Sequence, residues 1–249
     1  MRTLCIPALS DNYIYLLSDA GSAVAVDPGD AAPVLARLRG SGLRLRIVLL
    51  THRHADHTAG ADELRRATGC TVAGPDECAG CELDEVLADG GTTACGSHLL
   101  RVLAIPGHTA GHVAYHCETT GDVWTGDTLF VGGCGRILEG TAARMWQSLC
   151  RLRDLPPGTR VHCGHNYTLD NVEFAASLLP GDPDLAARLS EVREWAHREQ
   201  SEMPSTIGIE RRANLFLRAD QASVRAALAM PGADPVSVFA ELRRRKDAW

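Results

Sequence analysis

Several features are missing from this chain, and each absence removes a class of function. It has no surplus of positive charge. Its 25 Lys and Arg stand against 31 Asp and Glu, for a net charge of −6, so the basic field of a nucleic-acid binder is absent. No apolar run approaches the length of a membrane span. The first residues, Met1-Arg2-Thr3-Leu4-Cys5-Ile6-Pro7, lack the long apolar core of a secretion signal. The nine cysteines are an odd number with no clear framework, so reduced thiols are expected rather than disulfides. Cys78 and Cys81 form one Cys-x-x-Cys pair. A zinc ribbon needs a second pair, and Gly74-Pro75-Asp76-Glu77 before it suggests a turn rather than the strand-to-helix junction of a redox motif. There are no repeats and no low-complexity segment. What remains is one large domain, or one domain with an addition, in 249 residues. A monomer in the cytoplasm is the expectation. The apolar share of 45% supports a real core.

The most informative segment is Thr51-His52-Arg53-His54-Ala55-Asp56-His57. It gathers three imidazoles and one carboxylate, the donors that zinc and other borderline divalent ions prefer. The aliphatic run Leu45 to Leu50 before it reads as a buried strand, and Thr58 to Arg66 after it reads as the start of a helix. Loops at strand ends are where α/β proteins place their chemistry. His52 and His54 can aim at one ion, and Asp56 and His57 can serve a second beside it. Further donors should sit in similar loops. His108 in Pro106-Gly107-His108, Asp127 in Thr125-Gly126-Asp127 and His165 in Cys163-Gly164-His165 each follow an apolar segment and a glycine, which lets the backbone bend tightly. His112 is either a support for a neighbouring ligand or an ordinary strand histidine. His98, His116, His162 and His197 read as surface or core residues.

Along the rest of the chain, Tyr13–Leu17 and Ala23–Val26 read as paired strands around the turn Asp19–Ser22. Ala32–Arg39 reads as a helix and Leu99–Ile105 as a strand. Val113–Cys117 and Asp122–Thr125 read as a hairpin. Ala142–Leu152 is helical in pattern, and Arg160–Cys163 is a short strand. Beyond residue 165 the pattern becomes helical: Thr168–Leu179 and Asp184–Glu199, separated by Pro180-Gly181-Asp182-Pro183, then Ser223–Ala229 and Pro235–Arg245. A boundary near residue 166 divides a sheet-rich body (1–165) from a helical part (166–249).

The Thr-His-x-His-x-Asp-His motif, followed in order by Gly-His, Gly-Asp and Gly-His, resembles the signature of the metallo-β-lactamase superfamily. Within that superfamily the chain is similar to the glyoxalase II (hydroxyacylglutathione hydrolase) family. The supporting segments are Val131–Arg136, Glu139–Ala142, Cys163–Thr168, Pro204–Thr206, Asn214–Arg218 and Leu242–Asp247, so the match runs over almost the whole chain. The resemblance implies an α/β fold, a four-layered αββα sandwich followed by a smaller helical domain. It implies two divalent ions, zinc first, with iron or manganese as alternatives. His52, His54 and His108 would hold one ion, Asp56, His57 and His165 the other, and Asp127 would bridge them. It further implies Arg136, Tyr167, Arg243 and Lys246 as substrate-binding residues. Leu138 stands where an aromatic residue is common in this family, and Ala59 where glycine is common.

The implied reaction is hydrolysis of the thioester of lactoylglutathione and other 2-hydroxyacylglutathiones. Two ions sharing one oxygen lower the pKa of a water to about 7, and the resulting hydroxide attacks the thioester carbonyl. Asp56 and Asp127 are the catalytic carboxylates in this reading. The thiolate leaves with little acid assistance, and two substrate carboxylates call for the basic residues. Competing readings are a lactonase or β-lactamase on the same scaffold, a mono-iron glutathione persulfide dioxygenase, a nuclease, and a non-catalytic metal-binding protein. A cysteine is typical of the β-lactamases where Asp127 stands. A lactonase has no use for the basic tail, and the second ligand set disfavours the single-iron enzyme. The net charge disfavours the nuclease. Structural metal sites are normally closed, which disfavours storage.

Overall fold

The computed structural model describes residues 1–196 and 203–249. Two sheets face each other. The first runs in chain order: β1 (Arg2–Ala8), β2 (Asn12–Asp19), β3 (Ser22–Val26), β4 (Arg44–Leu49), β5 (Thr71–Gly74) and β6 (Glu85–Val86). The second contains β7 (Thr92–Cys95), β8 (His98–Ala104), β9 (Val113–Cys117), β10 (Asp122–Gly126) and β13 (Arg160–Cys163), in the order β13-β10-β9-β8-β7. A small ribbon pairs β11 (Leu129–Phe130) with β12 (Gly133–Cys134).

Alternation along the strands explains why the sheets stack and why both outer faces are covered. In β2, Tyr13, Tyr15 and Leu17 point into the core between the sheets, while Ile14 and Leu16 point the other way into a second core. Successive side chains of a strand leave opposite faces, so a strand that is apolar on both faces must be covered on both. The outer face of the first sheet packs on α1 (Ala31–Leu38) and α3 (Ala61–Thr68) through Val34 and Leu64. The second sheet behaves in the same way. Tyr115 and Trp124 face inward, whereas Ala114 and Val123 join the outer core with Met145 and Leu149 of α4 (Ala142–Arg153). This is the expected αββα sandwich.

The remaining helices are the short α2 (Ala55–Thr58), then α5 (Thr168–Leu178), α6 (Pro183–Ala196), α7 (Ile207–Ala213), α8 (Ala222–Ala227) and α9 (Pro235–Asp247). Phe174 of α5, Ile207 of α7 and Phe239 and Leu242 of α9 share the outer core of the second sheet. The C-terminal helices are therefore packed on the sandwich rather than tethered beside it. Asp234 caps α9 by accepting from the Val236 and Ser237 amides, with Pro235 in the first turn. No helix of the described residues is long and apolar enough to cross a membrane.

Several details differ from the sequence expectations, three of them with a clear local cause. The helix expected from Thr58 begins instead at Ala61 as α3, and Thr58 closes the short α2; Gly60 between them donates to the Pro28 carbonyl at 2.8 Å, and a Cβ there would strike Pro28 and Asp30. Pro183 begins α6 instead of separating two helices, and Asp182 accepts from the Leu185 amide at 3.1 Å. Strand β1 was not apparent in the sequence. It pairs with β2 at the sheet edge, where Pro7 is tolerated. The end of the helix expected to reach Glu199 lies outside the described residues, as does His197.

Candidate metal centre

The loops that leave β3, β4, β8, β10 and β13 bring their polar side chains to one place. Ring nitrogens of His52, His54 and His108 form one cluster, and Asp56, His57 and His165 form another. Within each cluster the donor atoms all lie within 4.8 Å of one another. His52 Nε2 is 3.0 Å from His54 Nδ1, His108 Nε2 is 3.1 Å from the same atom, and His57 Nε2 is 3.2 Å from His165 Nε2. Asp127 faces both clusters. Its Oδ2 is 3.5 Å from His108 Nε2 and 3.3 Å from His165 Nε2, and its Oδ1 is 3.4 Å from His57 Nε2.

The outer ring nitrogens fix which inner ones carry lone pairs. His108 Nδ1 lies 2.8 Å from the Arg136 carbonyl, an acceptor only, so Nδ1 holds the proton. His165 Nδ1 donates to Asp11 Oδ1 at 2.7 Å, and His57 Nδ1 to Asp27 Oδ2 at 3.1 Å. The Thr51 hydroxyl donates to Asp27 at 2.6 Å and so accepts from His52 Nδ1 at 3.0 Å. In each ring Nε2 is then the nitrogen aimed inward, at other ring nitrogens or carboxylate oxygens, and it offers a lone pair when the ring is neutral. Such a convergence is unfavourable unless a cation fills it, and protein metal sites build it from the same carboxylate or carbonyl partners behind the histidines. Asp127 Oδ1 is buried without a hydrogen-bond partner, an orphan of the kind a bound ion satisfies. The residues therefore fit a metal ion.

Asp27 groups geometrically with His52 and His57, but its oxygens are taken by the Thr51 amide (2.7 Å), the Thr51 hydroxyl and His57 Nδ1. It stands behind the rings. His112 does likewise. Its Nε2 accepts the Asp127 amide at 3.1 Å, its Nδ1 donates to the Val113 carbonyl, and its ring stacks on His52. Burial pushes the His112 pKa down to about 3, which keeps it neutral and able to accept. Asn12 donates to Asp56 Oδ2 at 3.0 Å. Of these supports the sequence signalled only His112. Asp11, Asn12 and Asp27 lie far from the histidine motif, and only the fold brings them to it.

The two clusters differ in charge. Burial lowers the His52 and His108 pKa values, which favours neutral imidazole at those two rings. In the other, bonds from His165 and His57 hold Asp56 far below the usual carboxylate range. Burial opposes a charged His57, yet Asp127, Asp27 and Asp56 carry its pKa well above the ordinary value.

Glycine serves two purposes here. Gly126 has φ +47°, a left-handed conformation, and a side chain there would strike Thr51 and His112. Gly164 has no such φ. It is needed for closeness, because a Cβ would meet Asp127 Oδ1 and the His57 ring. The tight bend expected before His165 is thus a close approach. Ala59 closes α2 with φ −61°, ordinary for any residue, which is why glycine is dispensable there.

One cavity of about 620 Å³ joins the clusters to the C-terminal helices. Its wall includes Arg136, Leu138, Tyr167, Arg243 and Lys246, so all four expected substrate-binding residues border the same space. Tyr167 stacks on His165 with centroids 4.9 Å apart, and burial pushes its phenol up to about 12. Arg243 donates to the Cys134 carbonyl at 2.7 Å and pairs with Asp247. Lys246 pairs with Asp170. Arg136 is exposed, with no ion pair among the described residues. None of the nine cysteines forms a disulfide, and burial raises Cys134 to about 11.

Comparison with known proteins agrees with this geometry. The metallo-β-lactamase superfamily profile matches residues 9–78 and 82–165, and the profile described as hydroxyacylglutathione hydrolase C-terminus matches residues 166–249. The hydroxyacylglutathione hydrolase of Methylococcus capsulatus is 46% identical, with 100% of this chain and 99% of that protein covered. The hydroxyacylglutathione hydrolase of Ectopseudomonas mendocina is 44% identical, with 98% of each covered. Among solved structures, ETHE1 from Myxococcus xanthus aligns with a TM-score of 0.69 at 26% identity, covering 100% of this chain and 99% of its own. The di-iron-bound form of TTHA1623 aligns at 0.63 and 27%, covering 87% and 100%. Because the likeness to the hydrolases spans both the sandwich and the C-terminal helices, this chain belongs to the hydroxyacylglutathione hydrolase family of the metallo-β-lactamase superfamily.

Proposed function

We propose that this protein hydrolyses the thioester of hydroxyacylglutathiones such as lactoylglutathione, releasing glutathione and the 2-hydroxy acid. The observation that carries the reading is the single cavity with a convergent donor set at one end and basic side chains at the other. Residues 1–165 supply the first and residues 166–249 most of the second, which is the division of labour between the two parts.

His52, His54 and His108 would hold one divalent ion and Asp56, His57 and His165 a second, with Asp127 between them. The set contains nitrogen and oxygen but no thiolate, which suits zinc, iron or manganese. Ions bound there would polarise the thioester carbonyl and make a water acidic enough to act as nucleophile near neutral pH. The protein's own contribution is orientation. The Asp56 side chain is 43% exposed to the cavity and accepts from Asn12 through one oxygen, which leaves it able to orient the attacking water. His112 and the Gly126 turn hold Asp127 in place. Arg136, Arg243 and Lys246 face the carboxylates of the glutathione moiety, and Tyr167 walls the passage between the ends. Water adds to the carbonyl carbon, the carbon–sulfur bond breaks, and sulfur leaves as a thiolate that needs little acid help.

The test is elemental analysis of gently purified protein alongside turnover of lactoylglutathione, a lactone, a β-lactam and glutathione persulfide. Two ions per chain and thioester hydrolysis are expected. A fully loaded protein with one iron, oxidising the persulfide, would replace this reading with the dioxygenase.

A further inference from the structure

The basic end of the cavity already contains its own counterions. Lys246 Nζ is bonded to the Asp170 carboxylate and, at 3.1 Å, to the Asp170 main-chain carbonyl. It also lies 5.4 Å from the centre of the Phe174 ring. Arg243 pairs with Asp247 four residues on along α9, at 3.0 Å. Both acids line the cavity with the cations they neutralise. The family role assigned to Lys246 therefore meets an obstacle specific to this chain: a substrate carboxylate arrives at an ammonium that is already paired.

The two pairs are not equivalent. Asp247 shares a helix with Arg243, so the helix holds that pair together. Asp170 comes from the first turn of α5, a different element. Its side chain is 61% exposed, whereas that of Lys246 is 7% exposed. The acid is the solvent-facing partner. The ammonium stays fixed by the carbonyl and the ring when the carboxylate turns away. Trp249 Nε1, which donates to Asp170 Oδ1 at 3.0 Å, offers the carboxylate a second partner on the solvent side.

We infer that Asp170 is a specificity-determining counterion that occupies the place of the substrate carboxylate on Lys246 and is displaced by it. The inference rests on the proposed thioester hydrolysis for its substrate. Its physical consequence is a handicap on binding: each anionic ligand must first break the Lys246–Asp170 pair. A pair whose carboxylate is this open to water is screened and weak, so the handicap is modest and the site remains usable. An uncharged thioester does not meet it.

Asp170→Asn keeps the size and the hydrogen-bonding oxygen but removes the charge. Calorimetry with S-methylglutathione, an unreactive thioether, measures binding apart from turnover. The variant should bind it roughly two- to fivefold more tightly than the parent protein, the range a weak ion pair allows. KM for lactoylglutathione should fall by a similar factor. KM for the acetyl thioester of N-acetylcysteamine, which has no carboxylate, should not follow it. Unchanged affinity would overturn the inference and leave Asp170 as a tie between α5 and α9, seen then as a lower melting temperature alone. Weaker binding would also overturn it, by showing that Asp170 receives the ammonium of the glutamyl group. If the parent protein binds S-methylglutathione and the variant binds it more tightly, but neither hydrolyses the thioester, the counterion role stands and the proposed function fails.

Discussion

The two ends of the cavity solve opposite electrostatic problems. At the metal end, ring nitrogens and carboxylate oxygens converge with nothing of opposite character between them, and Asp127 Oδ1 is buried without a partner. At the other end, Arg243 and Lys246 have already been given Asp247 and Asp170. The first arrangement stores a demand for cations that bound ions would meet. The second is satisfied before any ligand arrives, so a ligand must exchange partners there instead of supplying a missing one. Buried unmet polar groups are costly, whereas exposed ion pairs are worth little. Affinity should therefore be dominated by the metal end for ions, and be finely adjustable at the basic end for substrate.

Substitutions can break this contrast, and the largest effect is expected at Asp127. Asp127→Ala removes the carboxylate that, among the described residues, faces both clusters. It should lose most bound metal, with activity reduced by more than roughly 100-fold, beyond what loss of a partner behind a ligand usually costs. Elemental analysis and turnover should fall together, and a folded variant with normal metal and rate would remove Asp127 from the centre.

A smaller effect is expected behind the ligands. Asp11→Asn should weaken metal binding or activity by roughly 10- to 100-fold, because Asp11 orients His165 through Nδ1. Metal titration against a chelator checks this, and an unchanged affinity would mean that the outer partners are dispensable.

The basic end should respond on a lower scale, and its two cations should separate. Arg243→Gln should destabilise the fold by about 1.5–3 kcal/mol, since the guanidinium bonds the buried Cys134 carbonyl and lies 5.1 Å from the Phe216 ring centre. Lys246→Gln should cost less than about 1 kcal/mol. Urea unfolding reads the difference. Both should raise KM for the glutathione thioester with metal content unchanged. Equal stability losses would show that the two cations are structurally alike.

The least effect is expected at Cys134, although it lines the cavity. Its thiol is held protonated by burial, with a pKa of about 11. Cys134→Ala should keep hydrolysis and metal, and loss of turnover with both ions bound would point to a thiol mechanism.

The metal end was largely legible in the sequence because its donors come in short motifs after apolar segments, with His108, Asp127 and His165 each directly preceded by a glycine. The spacing of His52, His54, Asp56 and His57 sets their relation within one loop, whatever surrounds it. The basic end was legible only in part. Arg243 and Lys246 were visible as a basic helix end three residues apart, but not their pairing. Asp170 is 76 residues from Lys246 in the chain, and no local pattern links them. The reading of both cations as free to grip a carboxylate thus needed the tertiary structure to show the acids beside them. Short strands such as β5 and β6, and the edge strand β1 with its proline, escaped notice because few residues carry each signal.

What the sequence determined by itself was the chemistry of the donors, the strands apolar on both faces that demand a layered fold, and the order in which ligand loops follow strands. Those are local properties, set by side-chain type and by a repeat of two residues along a strand. The tertiary structure alone decided which nitrogen of each ring faces inward, because Asp11, Asp27 and the Arg136 carbonyl arrive from distant segments to take the outer protons. It also decided that the substrate end carries paired rather than open cations. Both outcomes depend on distances between groups remote in the chain, and electrostatic and hydrogen-bond energies change over a few ångströms, a scale that sequence separation does not report.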